Sequence, residues 1–295
     1  MKFIECIPNF SEGKNRQVVE AIVEACATVP GVKILDYSMD CDHHRSVLTF
    51  IGSPEAVEAG AAAACDRALE LIDMGVHTGI HPRIGAVDVV PFVPLRGATM
   101  DDAVKAAHTF GRAFAERNSV PVYFYGSAAL FPERRILSSV RKGQYEKLAE
   151  KIADPAWRPD AGPFRFNAKY GATAVGARKP LIAFNINLNC NDLRIAQDIA
   201  RSIRQSGGGL PHVQALGLRL QSRGIVQVSM NLIDYEETSL CTVFDIVKAK
   251  AAAAGIDILE SELIGLIPEA ALEGTTAEHL QLCDFCEERI IENHL

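Results

Sequence analysis

The order of the predicted elements constrains the fold of this 295-residue chain more than any other feature. In the first half, hydrophobic periodicity and turn residues predict a strand, a helix, two strands, a helix and a strand, in that order. The second half repeats this order without a clear sequence repeat, so the halves share an architecture and are not a tandem array. Because this is the order of the split β-α-β motif, we predict an α/β (α+β) chain of two ferredoxin-like β-α-β-β-α-β subdomains.

The first half contains the longer set of predicted elements. Its strands are Lys2–Ile7, Val32–Tyr37, Ser46–Gly52, Val87–Val93 and Val120–Tyr125. Its helices are Lys14–Ala27, Pro54–Ile72, Thr99–Arg117 and Lys142–Ile152. The strands of the second half are Leu181–Leu188, Val213–Leu220, Gly224–Ile233 and Asp257–Gly265, with a hairpin-like turn at Ser222-Arg223-Gly224. Its helices are Leu193–Gln205 and Ser239–Ala254.

Two histidines, His77 and His81, lie on a glycine-rich connection between a predicted helix and a predicted strand. Imidazoles in such a position are well placed for proton transfer. Because a residue before proline is pushed out of helical geometry, His81 should be extended, and Arg83 should share its side of the chain. The pattern therefore suggests a proton carrier beside a fixed positive charge, with an ordinary polar loop as the alternative.

The four-residue spacing of His77 and His81 is also that of two metal ligands on one face of a helix. The surrounding glycines and Pro82 argue against a helix here, and no glutamate follows His77 directly. No other ligand cluster is evident in the sequence. We therefore expect no metal.

The stretch between the two halves, Asp154–Pro180, is rich in proline and glycine but lacks the composition of a plain linker. It holds the only tryptophan and interleaves aromatic rings with cations, among them Phe164, Phe166, Tyr170, Arg165, Lys169 and Arg178. Aromatic rings stack on flat ligands, and cations hold carboxylates. A packed connector between subdomains would have a similar composition, so both interpretations stay open.

Composition argues against several classes of function. A formal net charge of −7 without a long Lys/Arg run gives no footprint of a nucleic-acid-binding protein. The apolar runs meet aspartate or proline well before bilayer length. The N-terminal sequence MKFIECIPNF meets proline and charge too early for a secretory signal. We expect a cytoplasmic protein with no nucleic-acid or membrane partner.

The eight cysteines are scattered mostly in apolar settings, which favours reduced, buried thiols over a disulfide framework. One close pair, Cys283 and Cys286, has the spacing of a redox or zinc motif. It has no second CxxC and no βα turn beside it, and it lies in a charged helical pattern, Ala277–Glu292. We interpret the pair as structural, with redox function as the alternative.

Six blocks of the sequence point to one family. They read MKFIECIPNFSEGKN, DHHRSVLTFIG, LIDMGVHTGIHPRIGAVDVVPFVPLRGATM, VPVYFYG, GPFRFNAKYGATAVGARKPLIAFNINL and VQVSMNLIDYEETSL. Together they resemble the glutamate formimidoyltransferases, the formiminotransferase module of histidine degradation, from Met1 to about Pro268. The PNFSEG and HPRIGA blocks are specific when found together. The cyclodeaminase domain of some members has no counterpart here, so the resemblance implies the stand-alone form.

The resemblance implies a fold and a reaction. The two subdomains would span residues 1–180 and 181–295 and pack around a central cleft or tunnel. The reaction would transfer the formimidoyl group from N-formimidoyl-L-glutamate to N5 of tetrahydrofolate, giving 5-formimidoyltetrahydrofolate and L-glutamate. Tetrahydrofolate is then a co-substrate, the substrates are small molecules, and the family suggests a homodimer.

The resemblance also assigns roles to residues. The catalytic histidine of the family lies in its HPR block, which corresponds to His81. The folate-contacting segment corresponds to Gly162, Pro163, Phe164, Arg165, Phe166, Asn167, Ala168, Lys169, Tyr170 and Gly171. The family usually has an asparagine where this chain has His44, which puts fine substrate preference in question but not the reaction class.

This chemistry needs a proton carrier and groups that hold charge. His81 can serve as base and then as acid. Both substrates carry carboxylates, which arginine binds through parallel hydrogen bonds. The candidates are Arg45, Arg83 and Arg178, with an ordinary surface salt bridge as the alternative for each. Candidates for holding the cationic amidine are Glu12, Asp36 and Asp42, with a surface or structural role as the alternative for any one of them. The segment Asn9–Gly13 resembles a helix cap, with anion binding as the alternative.

Two other functions compete with this interpretation. One is another folate one-carbon reaction, either transfer from formiminoglycine or cyclisation of 5-formyltetrahydrofolate; the absence of a Walker-type motif weakens the second, which needs ATP. The other is a non-catalytic folate-binding or sensing module. A sensor needs a cleft but no proton carrier, so His81 separates the possibilities.

Overall fold

The computed structural model describes residues 2–283 and 285–295. The chain forms two compact units, Met1–Arg178 and Lys179–Leu295. Each unit has its own β-sheet and its own hydrophobic core. The predicted α/β class is therefore confirmed. No helix within the described ranges is long and apolar enough to span a bilayer.

The first unit is built on a seven-stranded sheet. Its strands are β1 (Ile4–Cys6), β2 (Asn9–Phe10), β3 (Lys33–Asp40), β4 (Arg45–Gly52), β5 (Val87–Pro94), β6 (Val122–Gly126) and β7 (Thr173–Ala177). Strands β1 and β2 lie end to end between β4 and β5 and are antiparallel to both, while β3 pairs with the other edge of β4. These strands form the antiparallel part of the sheet.

The helices of the first unit lie on the two faces of this sheet. They are α1 (Arg16–Ala27), α2 (Pro54–Leu71), α3 (Met100–Asn118), α4 (Leu137–Val140) and α5 (Leu148–Ala153). Side chains alternate along a strand, so Phe124 of β6 joins the core of α1, α2 and α3. Tyr123 and Tyr125 point the other way, into a smaller cluster with Val140 of α4 and Leu148 of α5.

Strand β7 differs from the sequence prediction, which placed Thr173–Ala177 in the connector. It lies between β5 and β6 and is parallel to both. A strand that is buried on both faces has a continuous run of apolar residues without the alternation that identifies a strand in the sequence. The small residues of Thr173–Ala177 make this strand still harder to predict. At Gly176 an added Cβ would lie 2.5 Å from the Tyr125 ring, so a larger residue would not fit.

The second unit has the predicted order of elements throughout. It comprises β8 (Ile182–Leu188), α6 (Leu193–Ile203), β9 (Val213–Leu220), β10 (Ile225–Leu232), α7 (Leu240–Ala253) and β11 (Ile258–Ile264). The sheet order is β11-β8-β10-β9, and every pair is antiparallel. The predicted turn joins β9 to β10, with Gly224 at a φ of +67°. This is the ferredoxin-like arrangement.

One predicted helix is wrong in part, and a second predicted helical segment is wrong. Lys142–Ile152 contains a 3₁₀ turn at Tyr145–Lys147 followed by the short α5. The described residues of Ala277–Glu292 contain no α-helix. They form turns, one of them a 3₁₀ turn at Glu287–Arg289. Two of their carbonyls accept from neighbouring backbone, Gln281 O from Ser261 N of β11 and Arg289 O from Ile267 N beyond that strand, both at 2.8 Å.

The expectation of buried thiols holds for only some of the cysteines. Cys6, Cys26 and Cys65 are buried in the first core, and burial raises the pKa of each thiol. Cys41, Cys283 and Cys286 are exposed. The CxxC pair therefore lies at the surface, in the segment that pairs with β11.

Candidate functional site

Backbone hydrogen bonds attach both ends of the loop that carries His81 to Lys169 and Tyr170. Met74 N donates to Lys169 O and Ala86 N donates to Tyr170 O, each at a distance of 2.9 Å. Near its end the loop forms a bridge between Gly85 and Gly171, where an added Cβ on Gly85 would lie 2.2 Å from Ala172 O. The predicted folate segment, residues 162–171, thus runs along the histidine loop, and a glycine is needed for this close approach.

The hydrogen bond of His81 determines its tautomer. Its Nδ1 lies 2.9 Å from the carbonyl oxygen of Pro82. A carbonyl only accepts, so Nδ1 carries the proton and Nε2 keeps its lone pair in the neutral ring. The side chain is partly buried. Its geometry is that of a base that takes up a proton at Nε2.

Positive charge surrounds His81. Burial lowers the pKa of His81 well below its usual value, and the charges of Arg45, Arg141 and His43 lower it further. The His43 and His81 rings are 5.9 Å apart between centroids. The imidazole is therefore neutral at pH 7, and its conjugate acid gives up a proton easily.

Arg45 and Arg141 share one carboxylate. Asp88 Oδ2 accepts from Arg45 Nη1 over 2.6 Å and also from Arg141, while Oδ1 accepts from Ile84 N (2.9 Å). Burial raises the pKa of Asp88, but the two guanidiniums outweigh it and the pKa lies below its usual value. Burial lowers the pKa of Arg45 to about 10.

Two guanidiniums against one carboxylate leave an excess positive charge beside His81. Among the described residues, the buried Nε of Arg141 has no hydrogen-bond acceptor. Arg178 extends the group, since it hydrogen-bonds the buried phenol of Tyr125. Burial raises the pKa of Tyr125, and Arg178 and Arg141 oppose this rise. The arrangement favours an anionic ligand.

Arg83 has a different environment from the one expected. Its guanidinium forms a bidentate pair with Glu146, with N–O distances of 2.6 and 3.0 Å, and its Nε donates to His77 Nδ1 over 3.4 Å. Glu146 therefore balances its charge. The fixed positive charges that act on His81 are those of Arg45 and Arg141.

His44 and His77 stack face to face, with centroids 4.1 Å apart. His44 Nδ1 donates to Thr78 O over 2.6 Å, and His77 Nε2 donates to His44 O over 3.0 Å. Glu12 lies 3.4 Å from His44 Nε2. The residue that departs from the family pattern thus joins Glu12 to the histidine loop.

The segment Asn9–Gly13 does not itself cap the helix that follows: Asn9 and Phe10 form β2, and the cap of α1 is Asn15. Glu12 accepts from Lys14 N (2.8 Å) and Asn15 N (2.9 Å), and the Asn15 side chain caps α1. Burial raises the pKa of Glu12, but these backbone donors and His44 lower it below its usual value. Asn9 accepts from Arg45 Nε over 2.9 Å, which places it in the charged cluster. Of the other carboxylates considered for the amidine, Asp36 lies in β3 and Asp42 in the turn after it.

The predicted folate segment has a fixed backbone and an exposed side. Asn167 Oδ1 accepts from the backbone N–H of Lys169 and Tyr170, and Tyr145 donates its hydroxyl proton to Ala168 O. Phe166 packs on Tyr145, with ring centroids 5.5 Å apart. The side chains left exposed include those of Phe164, Arg165 and Lys169.

Three residues of the cluster, Asp88, Arg141 and Tyr125, are not among the site residues predicted from the sequence. Asp88 did carry a signal, because a charge within the apolar run VDVVPFV is costly to bury unless it is paired. Arg141 follows a helix of only four residues and lies in none of the six blocks. Nothing local to Arg141 reveals its place.

Comparisons with known proteins agree along the whole chain. Residues 3–178 match the family model described as the formiminotransferase domain, N-terminal subdomain, and residues 183–290 match the formiminotransferase domain model. A glutamate formimidoyltransferase of Streptococcus pyogenes serotype M1 is 42% identical over 295 residues, covering 100% of this chain and 99% of that protein. One from Thermoplasma acidophilum is 44% identical, covering 100% and 98%. A formimidoyltransferase-cyclodeaminase of Gallus gallus is 46% identical over 92% of this chain and 51% of that protein.

Proposed function

Because the chain belongs to the formiminotransferase family, we propose that it works as a glutamate formimidoyltransferase in which His81 moves the proton. The enzyme transfers the formimidoyl group from N-formimidoyl-L-glutamate to N5 of tetrahydrofolate, in histidine degradation. The products are 5-formimidoyltetrahydrofolate and L-glutamate. The observation that carries the assignment of His81 is its hydrogen bond to Pro82 O, which leaves Nε2 unprotonated in a ring whose pKa burial, Arg45 and Arg141 lower.

The reaction needs one proton to be taken and returned. As N5 attacks the amidine carbon, a new N–C bond forms and N5 must lose its proton. The tetrahedral centre then breaks its bond to the glutamate nitrogen, which leaves only if it is protonated. A single group that acts as base and then as acid completes this cycle. Nε2 of His81 takes the proton from N5 and delivers it to the glutamate nitrogen.

The low pKa of His81 suits the second half of this cycle better than the first. An imidazole with a depressed pKa is a weak base, but its conjugate acid is strong. A substrate carboxylate beside Arg45 and Arg141 would offset the charge that depresses the pKa. Binding of the anionic donor would therefore bring the pKa of His81 back toward neutrality, where both transfers are efficient.

Arg45, Arg141 and Arg178 form the anion site of this proposal. The excess charge of Arg45 and Arg141 over Asp88 receives a carboxylate of the donor. Arg178, on the phenol of Tyr125, borders the same cluster. Arg83 acts differently, because its pair with Glu146 holds His77 and thereby the histidine loop. We assign it to positioning.

The segment Gly162–Gly171 contacts the folate. Its backbone is bound to both ends of the histidine loop, at Met74 and at Gly85–Ala86, so a ligand on the segment would lie beside that loop. The exposed ring of Phe164 offers a stacking surface for a flat heterocycle, and Arg165 and Lys169 offer cations for the folate glutamate.

A cytoplasmic location, a homodimer and a reaction without metal belong to the same proposal. Light scattering of the purified chain tests the dimer.

The test is a spectrophotometric assay of the whole chain with tetrahydrofolate and N-formimidoyl-L-glutamate. The product is followed through its acid conversion to the methenyl form. We expect His81→Ala to lower kcat by about 10²–10⁴-fold while the Kd for tetrahydrofolate changes little. The matched control His294→Ala, at a distant point of the sequence, should keep wild-type turnover.

Other outcomes separate the alternatives. Turnover with formiminoglycine but not with N-formimidoyl-L-glutamate would identify formiminoglycine as the donor. ATP-dependent cyclisation of 5-formyltetrahydrofolate would show that the chain catalyses that reaction instead. Folate binding without any turnover would support a sensing module. Parallel loss of turnover and folate binding in a folded His81→Ala chain would make His81 a binding residue and contradict its role as proton carrier.

A further inference from the structure

Apart from the histidine loop, three different metal-ligating side chains meet at the surface of the second unit. Cys241 Sγ lies 3.6 Å from Asp245 Oδ2 and 3.7 Å from His279 Nε2. His279 Nε2 lies 2.9 Å from Asp245 Oδ1. All three donor atoms lie within 4.8 Å of one another. One sulfur, one nitrogen and one oxygen therefore converge on a single point.

The fold holds these side chains in place before any ligand binds. Cys241 and Asp245 are four residues apart on α7, so both lie on one face of the helix. His279 belongs to a turn in which Leu280, fully buried in the second core, donates its N–H to Thr276 O over 3.0 Å. The His279 ring meets the ring of Phe244 edge-on, with centroids 5.6 Å apart.

A cysteine, a histidine and an aspartate also suggest a nucleophilic triad, but the geometry argues against one. In a triad the carboxylate accepts from one ring nitrogen of the histidine, and the nucleophile bonds to the other. Here Asp245 Oδ1 and Cys241 Sγ both approach the same atom, Nε2 of His279. The arrangement is that of ligands around a shared centre.

The distances fit a tetrahedral zinc ion. Zn–S bonds of about 2.3 Å and Zn–N or Zn–O bonds of about 2.0–2.1 Å place the ligand atoms about 3.3–3.6 Å apart. The two distances from Cys241 are 3.6 and 3.7 Å. Only the 2.9 Å contact between His279 and Asp245 is shorter, since it is a hydrogen bond that would open when Nε2 ligates.

We propose that Cys241, Asp245 and His279 bind a divalent transition-metal ion, Zn²⁺ by ligand preference, with the fourth position open to water. Thiolate and imidazole ligands select zinc over magnesium or calcium, which prefer oxygen. Metal binding releases the thiol proton of Cys241. The ion joins the turn at His279 to α7 and stabilises the folded chain by RT ln(1 + c/Kd), where c is the concentration of free Zn²⁺.

Co²⁺ is the probe for this site, because a cobalt–thiolate bond gives a near-ultraviolet charge-transfer band that imidazole and carboxylate ligands do not. The chelator-treated whole chain is titrated with Co²⁺ and then with Zn²⁺. We expect the band to reach its full intensity with one equivalent of Co²⁺. Zn²⁺ should displace Co²⁺, so that the band is lost, and Zn²⁺ should raise Tm. Circular dichroism verifies that each variant is folded.

The variants separate this site from other thiols. Cys241→Ser should abolish the band, and His279→Ala should weaken Co²⁺ binding at least tenfold. The control Cys41→Ser/Cys283→Ser/Cys286→Ser removes the three exposed cysteines and should keep the band. A band that persists in Cys241→Ser and is lost in the triple variant would assign the metal to the CxxC pair or Cys41. Absence of any thiolate band in the wild-type chain would overturn the proposal.

Discussion

The guanidinium of Arg45 donates to the carboxylate of Asp88 over 2.6 Å, and no part of the Asp88 side chain is exposed. Burying an ion pair costs desolvation, and removing one partner leaves the other charge buried and uncompensated. Arg141 bonds to the same carboxylate oxygen, so Arg45, Arg141 and Asp88 together carry one net positive charge. This excess makes the surroundings of His81 receptive to a carboxylate and unfavourable to an imidazolium.

Asp88→Asn should destabilise the chain strongly. The change leaves two guanidiniums, each at most 13% exposed, without their carboxylate. Removing one partner of a buried pair costs about 3–5 kcal/mol, and urea denaturation measures the loss. The control Asp198→Asn breaks an exposed pair with Arg201 and should cost less than about 1 kcal/mol. Equal losses would mean that Asp88 is not a structural centre.

Folding stability should decrease as the pH falls below about 6.5, the ordinary pKa of histidine. The folded-state pKa of His81 is depressed, so the unfolded chain binds its proton first and acid favours unfolding. His81 contributes a slope of up to about 1.4 kcal/mol per pH unit in this range. His77, whose pKa burial also lowers, adds to it.

Urea denaturation at pH 7.5 and 5.5 measures this dependence. His81→Ala should be less sensitive to acid than the wild type, and the control His294→Ala should match the wild type. An acid sensitivity that His81→Ala leaves unchanged would contradict a depressed pKa in the folded state.

Arg141→Gln should raise the pKa of His81 and weaken donor binding. The change removes one of the two guanidiniums that lower this pKa. It also removes a charge-assisted hydrogen bond to the donor, worth about 1.5–3 kcal/mol, so KM for N-formimidoyl-L-glutamate should rise about tenfold or more. An NMR titration, with the His81 signal identified from His81→Ala, measures the pKa. The exposed Arg201→Gln should change neither quantity.

Gly85→Ala should destabilise the histidine loop. The added Cβ would lie 2.2 Å from a backbone oxygen, that of Ala172, which a side-chain rotation cannot relieve. We expect a loss of about 1–3 kcal/mol together with reduced turnover. Gly75→Ala in the same loop is the matched control, since its Cβ would meet only the Asp73 side chain, at 3.1 Å. Similar losses in both variants would show that the bridge to Gly171 is not essential.

Phe164→Ala should weaken tetrahydrofolate binding without changing stability. The side chain is 61% exposed, so its removal creates no cavity. Stacking beyond area burial is worth about 0.5–1.5 kcal/mol, which corresponds to a change in Kd of about 2–12-fold. Fluorescence titration measures the Kd. The control Phe131→Ala removes another exposed phenylalanine and should bind folate as the wild type does.

The sequence predicted most of the fold because the relevant signals are local. Period-2 and period-3.6 patterns fall within single elements, and the strand Val213–Leu220 was predicted to the residue. Errors occurred where distant partners decide the structure. Thr173–Ala177 is a strand because β5 and β6 lie on either side of it. The described residues of Ala277–Glu292 form turns instead of the predicted helix, and Gln281 O accepts from Ser261 N of β11.

For the site, the sequence by itself determined the types of chemistry and the family. The histidine–proline block, the aromatic and cationic segment and the glycines that permit close approach can all be read along the chain. The environment of His81 was decided only in the folded molecule. Pairing of β2 with β4 and β5 brings Asn9, Arg45 and Asp88 together, and Arg141 joins them from beyond β6. Tautomer, burial and charge balance depend on distances in space, which sequence spacing does not encode.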